Sequence, residues 1–163
     1  MKSILCSLLG IVSLIFAIVS TPALAAEHPA QLSLFTPIQI YPEGDTISGV
    51  RLNLLYGRNV SVKGLDVGLV NHTTTGLCKG LQVGVVGFVE ADFVGWQYNT
   101  VNAVKGDCKG FQWGFVNYAK HARGFQLGFV NYVESMHGLQ IGLVNVIRQD
   151  GMFPVFPIVN WSF

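Results

Sequence analysis

The stretch Gly138-Leu139-Gln140-Ile141-Gly142-Leu143-Val144-Asn145 decides how this chain is read. Close copies are Gly124-Phe125-Gln126-Leu127-Gly128-Phe129-Val130-Asn131 and Gly110-Phe111-Gln112-Trp113-Gly114-Phe115-Val116-Asn117. Looser copies begin at Gly95, Gly80, Gly64 and Gly49, and successive starts lie 15, 16, 15, 15, 14 and 14 residues apart. A self-similarity of fixed period identifies a repeat architecture before any single element is assigned.

Let the repeat glycine be position zero. Positions one, three and five are then large and apolar, as in Leu65/Val67/Leu69 and Phe125/Leu127/Phe129, while positions zero, two and four are mostly Gly, Gln and Gly. That alternation has period two, so each unit contains a β-strand with one apolar face and one small, polar face. A helix would scatter these residues around its axis, and two glycines in eight residues oppose it. The only ionised residues inside the strand cores, Arg51 and Asp66, fall at position two. The glutamine face is therefore wet or hydrogen-bonded, and the other face is dry. Asn71, Asn102, Asn117, Asn131 and Asn145 recur at position seven, where an amide can bond local backbone. On this division, Leu127→Arg is expected to block folding or insertion and Gln126→Arg to be milder.

Two stackings suit an all-β chain of this kind. In an antiparallel meander, junctions of about five residues make hairpin turns. About nine strands then close into a small barrel, with the Leu/Phe face toward lipid and Gly making room inside. In a parallel β-solenoid each repeat is one coil, and Gln and Asn stack as ladders. The meander is the favoured expectation.

The chain opens with an address label. Met1-Lys2-Ser3 precedes the apolar run Ile4 to Val19 and the small residues of Thr21-Pro22-Ala23-Leu24-Ala25. Residues 1–25 therefore read as a secretory signal peptide. A single domain follows, 26–163. It comprises a leader and first strand (26–48), the seven-fold repeat (49–147) and a closing C-terminal strand (148–163). The full chain has ten Lys and Arg against nine Asp and Glu. One of the ten is Lys2, so the exported part has formal charge zero and no basic field for nucleic acid.

Chemistry is sparse. No Gly-x-Ser-x-Gly frame, metal-ligand spacing or phosphate loop occurs, so no enzyme, cofactor or metal site is expected. Glu90 and Asp92 are the nearest thing to a carboxylate pair and read as a solvated junction. Cys78 and Cys108 each sit two residues before a repeat glycine. They are either a disulfide formed after export or two part-buried thiols, and two strand spacings of ~9.5 Å exceed the usual reach of the bond. Trp96, Tyr98, Phe111, Trp113, Phe115, Phe125 and Phe129 are either core packing or a membrane-facing aromatic band.

Two resemblances add to this. The GLQIGLVN unit over residues 49–147 is similar to that of bacterial exported surface-repeat proteins. That likeness implies a location in the cell envelope and no assigned activity. Val159, Trp161 and the terminal Phe163 resemble the closing strand of bacterial outer-membrane barrels, although Pro154 and Pro157 depart from it. Together they lead one to expect a non-enzymatic envelope protein in the outer membrane or at the cell surface. Lipid or envelope components would be its partners, and no small-molecule ligand is indicated. The rival is a soluble, periplasmic or exported solenoid that binds a partner through its Gly/Gln face.

Overall fold

A computed structural model describes residues 25–163, so the signal-peptide reading lies outside the described residues except for Ala25. Nine strands make one sheet: β1 (Glu27–Phe35), β2 (Ile38–Gln39), β3 (Thr46–Asn59), β4 (Ser61–Thr73), β5 (Cys78–Val89), β6 (Phe93–Trp113), β7 (Val116–Leu127), β8 (Val130–Gln149) and β9 (Val155–Ser162). Their order is β2-β1-β3-β4-β5-β6-β7-β8-β9. From β1 through β8, β2 aside, every neighbouring pair is parallel. Only β1/β2 and β8/β9 are antiparallel.

This is a β-solenoid of about 8 turns. The expected antiparallel meander and barrel are therefore wrong, and the alternative stacking is the one adopted. The later supposed hairpin junctions are strand themselves: β6 runs for 21 residues straight through one of them, and β7 and β8 run through the next two. The register shows why. Gly64 pairs with Gly80, Asp66 with Gln82 and Gly68 with Gly84. Further along, Gly124 pairs with Gly138 and Gln126 with Gln140. Parallel coils lay each repeat position on its own copy, so every coil meets the same surroundings. A hairpin would oppose unlike positions.

Position zero must be glycine for two reasons. Its φ lies in the left-handed region, from 126° at Gly80 to 150° at Gly138. In addition, a Cβ at Gly80 would stand 2.0 Å from the carbonyl oxygen of Gly64 in the preceding coil. The backbone itself fills that space.

The leader belongs to the stack as well. Gln31 pairs with Arg51 and Ser33 with Asn53, and both leader side chains are buried. The first strand, β1, runs over Glu27–Phe35, and the chain then turns back at Pro37 into β2. It also supplies a coil that no repeat glycine announces. At the other end, β9 lies antiparallel on β8, with Trp161 opposite Leu139 and Val159 opposite Ile141. Phe163 is exposed, edge-on to His137. The three closing-strand residues thus finish a coil stack and seal no barrel.

The period-two division holds, with an unexpected interior. Positions one, three and five face outward. Inside are two apolar columns and two amide columns. One apolar column is Ile47, Val62, Cys78, Phe93, Cys108, Ala122 and Met136, two residues before each glycine; the other is Val89, Val104, Ala119, Val133 and Ile147. Glutamine at position two and asparagine at position seven complete the filling. The Gly/Gln face is therefore sealed inside and offers no surface to a partner, which corrects that part of the rival reading.

Candidate functional site: an amphipathic outer face

The buried amides set the frame. Gln140 Nε2 donates to Gln126 Oε1 at 2.8 Å, Gln126 to Gln112 at 2.6 Å, and Gln112 to Gln97 and Gln97 to Gln82 at 2.8 Å each. Gln82 then donates to Asp66 Oδ2 at 2.9 Å. Every donor in this ladder points toward the N-terminal end. The carboxylate that accepts the last hydrogen bond is held by Arg51 through two bonds, 2.7 and 2.8 Å, with both side chains buried. The asparagine ladder runs the other way: Asn102 donates to Asn117, Asn117 to Asn131 and Asn131 to Asn145 at 2.7–2.8 Å. Aligned amides polarise one another, and each satisfied bond avoids the 1–3 kcal/mol or so that a buried unpaired polar group costs.

With the polar groups sealed inside, the large apolar side chains stand outside. Trp96 is 64% exposed, Phe115 and Phe125 55% each, and Tyr98, Trp113 and Phe129 about half. Phe111 is half-buried among them. All seven expected band residues come together on one flank. Trp96 meets Phe111 edge-on at 5.7 Å, Tyr98 meets Trp113 at 5.0 Å, and Phe115 stacks on Phe129 at 4.7 Å between centroids. Core packing is therefore not their role. Leu52, Leu54, Leu69, Leu81, Val85, Ile141 and Leu143 extend the same face as exposed aliphatics. Monomeric soluble proteins rarely expose contiguous apolar patches larger than a few hundred Å².

A hollow of about 600 Å³ interrupts the face, walled by Tyr98, Trp113, Phe115, Leu127 and Phe129. It exists because Thr100 occupies position five, where its neighbours carry Val85 and Phe115.

The other sequence candidates separate. Cys78 and Cys108 are free, buried thiols. Phe93 lies between them in the column, in register with Cys78, so of the two alternatives the free thiols are the one present, two coils apart. Burial pushes both thiols up to about 12. Glu90 and Asp92 do not form a carboxylate pair. Glu90 accepts from His72 Nε2 at 2.8 Å, while an Asp92 oxygen accepts the Asp107 amide at 2.8 Å. His72 itself is largely enclosed, with its Nδ1 2.7 Å from Tyr56 Oη. Burial holds its pKa below the usual value, against the pull of Glu90.

Sequence reasoning missed one row. Asp107 pairs with His121, and His121 with Ser135, in consecutive coils. His121 Nδ1 lies 2.7 Å from Ser135 Oγ. Among the described residues His121 makes no ion pair with Asp107, so the row lacks the contact that would orient the imidazole as a base. The common repeat position of these three residues was the available signal. Among the described residues no group of three or more His, Cys, Asp or Glu is placed to hold a metal ion. No described helix is long and apolar enough to cross a membrane.

Fold and face together define a parallel β-solenoid with amide ladders and apolar columns inside and large apolar side chains outside. Compared with family models, curated proteins and solved structures, the chain finds no match.

Proposed function

We propose that this chain is a non-enzymatic cell-envelope protein, a β-solenoid scaffold whose apolar outer face rests on lipid at the outer membrane. One observation carries the reading: large hydrophobic side chains line the outside of the coils while the amides line the inside. A water-facing solenoid gains nothing from that order, since each large apolar side chain left wet forgoes about 1.5–3 kcal/mol of burial. Trp, Tyr and Phe in such a band suit the depth where acyl chains meet headgroups. The resemblance to exported surface-repeat proteins and the N-terminal export signal support the same location. Because the backbone hydrogen bonds run between coils and the coils are filled with side chains, the face would lie on the bilayer surface rather than form a pore.

Flotation tests the reading. Purified protein should rise with phosphatidylcholine vesicles in a density gradient. A variant carrying Trp96→Asp and Phe125→Asp should stay at the bottom with an unchanged strand signal in circular dichroism. Wild-type protein that remains at the bottom would dismiss lipid association.

A further inference from the structure

Formal neutrality conceals a segregation of charge. The residue just before each repeat glycine points outward, and in successive coils it is Ser48, Lys63, Lys79, Val94, Lys109, Arg123 and His137. Lys63, Lys79, Lys109 and Arg123 are all exposed. With coils about 4.8 Å apart, these four cations span about 19 Å of one straight ridge. Two residues along each strand lies the first apolar column, Leu65, Leu81, Trp96, Phe111 and Phe125.

The ridge is poorly neutralised. Lys63 lies 3.7 Å from Glu27. Among the described residues Lys79, Lys109 and Arg123 have no carboxylate within 4.0 Å. Asp107 and Asp150 share a groove with Lys109, Arg123 and His137. Asp107 stands two residues further from the apolar columns than Lys109 does. On the apolar face itself, positions one, three and five carry no carboxylate in any of the seven repeats.

We propose that the face seats on an anionic bilayer, with the ridge of Lys63, Lys79, Lys109 and Arg123 bound to acidic phosphate headgroups while the aromatic columns enter the acyl boundary. The proposal rests on the lipid reading above and adds the headgroup class. Apolar area beside a basic edge is the chemistry of interfacial binders, and each cation near an acidic surface strengthens adhesion severalfold. A second copy suits the face less well, because the face has no exposed carboxylate of its own to meet the ridge.

Co-sedimentation with two vesicle types decides the matter: pure phosphatidylcholine, and phosphatidylcholine with about one-third phosphatidylglycerol. Acidic vesicles should bind on the order of 100-fold tighter, and high salt should remove the excess. The triple variant Lys79→Gln, Lys109→Gln, Arg123→Gln should fall to the neutral-vesicle level and keep that level. Equal, salt-insensitive binding to both vesicles would overturn the headgroup assignment while leaving lipid association intact. Binding to neither would overturn both. A dimer in analytical ultracentrifugation that dissociates with Trp96→Asp would give the face to a second copy and likewise overturn the proposal.

Discussion

Asn99 occupies the hollow that Gly87 leaves in the asparagine column. Position seven is Asn71 in one coil, Gly87 in the next and Asn102 in the one after. A Cβ on Gly87 would lie 2.4 Å from Asn99 Nδ2 and 2.2 Å from Gln82 Oε1. Asn99 comes from position four, elsewhere mostly glycine, and donates to Asn102 Oδ1 at 2.7 Å in place of the missing column member. Asn53 and Gly57 repeat the exchange, with Asn53 donating to Asn71 at 2.8 Å. Gly87→Asn alone, or Asn99→Gly alone, should cost about 2 kcal/mol, through a clash or an unmet buried acceptor. The double variant should recover most of that loss in urea unfolding, because it rebuilds the column from its usual position. Additive losses would show that the two sites are independent.

The buried pair Arg51–Asp66 should behave in the same coupled way. Asp66→Asn leaves the Arg51 guanidinium buried without its counter-charge, a loss of about 3–5 kcal/mol. Replacing both with glutamine extends the ladder by two members and should be much better tolerated than either single change. Thermal unfolding of the three variants checks the order.

The alternation carries a reversal. Gln126 is buried and bonded on both sides of its ladder, to Gln112 and Gln140. Leu127 stands on the outer face, only part-buried. Gln126→Arg should therefore unfold the protein, while Leu127→Arg should spare the fold and weaken vesicle binding. The opposite ranking follows if the apolar side is the packed interior, so circular dichroism on the two variants discriminates.

Acidification should destabilise the protein through His72. The fold favours the neutral imidazole, chiefly because it is buried beside Tyr56 and Phe88, with Arg51 and Arg58 also opposing its charge and Glu90 favouring it. The unfolded chain then binds the proton first. Stability present above the ordinary histidine value of 6.5 is lost as pH falls below it. Glu90, held below its usual range by its bond to His72, adds a loss of the same sign at lower pH. His72→Phe should flatten the upper part of the pH dependence of the denaturant midpoint.

Cys78 and Cys108, buried and protonated at neutral pH, should resist iodoacetamide until denaturant is added, and both should then react without prior reduction. Mass spectrometry of the native and unfolded protein reads this directly.

What sequence revealed is instructive at the level of single residues. Leu139, Ile141 and Leu143 against Gln140 and Gly142 announce a two-sided strand, and that division survives intact. Their stacking was harder to see. The spacing between repeats suits a hairpin junction as well as the remainder of a coil, and residues such as Ala119, Lys120 and His121 carry no turn signal to separate the two. The decisive clue was that Gln82, Gln97, Gln112, Gln126 and Gln140 hold one position, which only parallel coils turn into a continuous ladder. The inner column of Cys78, Phe93, Cys108, Ala122 and Met136 is hard to read from sequence because its members differ in type and share only their distance from a glycine. The lysine ridge is invisible in the net charge and emerges only when the charges are sorted by repeat position.

The two antiparallel end strands have a consequence for assembly. Coils that fit their successors so regularly would go on accepting further coils from other molecules, since an uncovered last coil offers the same template that ordered the one before it. At one end the short β2, just after Pro37, folds back over β1; at the other β9 turns against the direction of the stack and carries Pro157. A proline presents no amide proton to a newcomer, and a reversed strand breaks the register that like coils would need. These terminal pieces make the molecule a counted object of fixed length instead of the seed of a fibre.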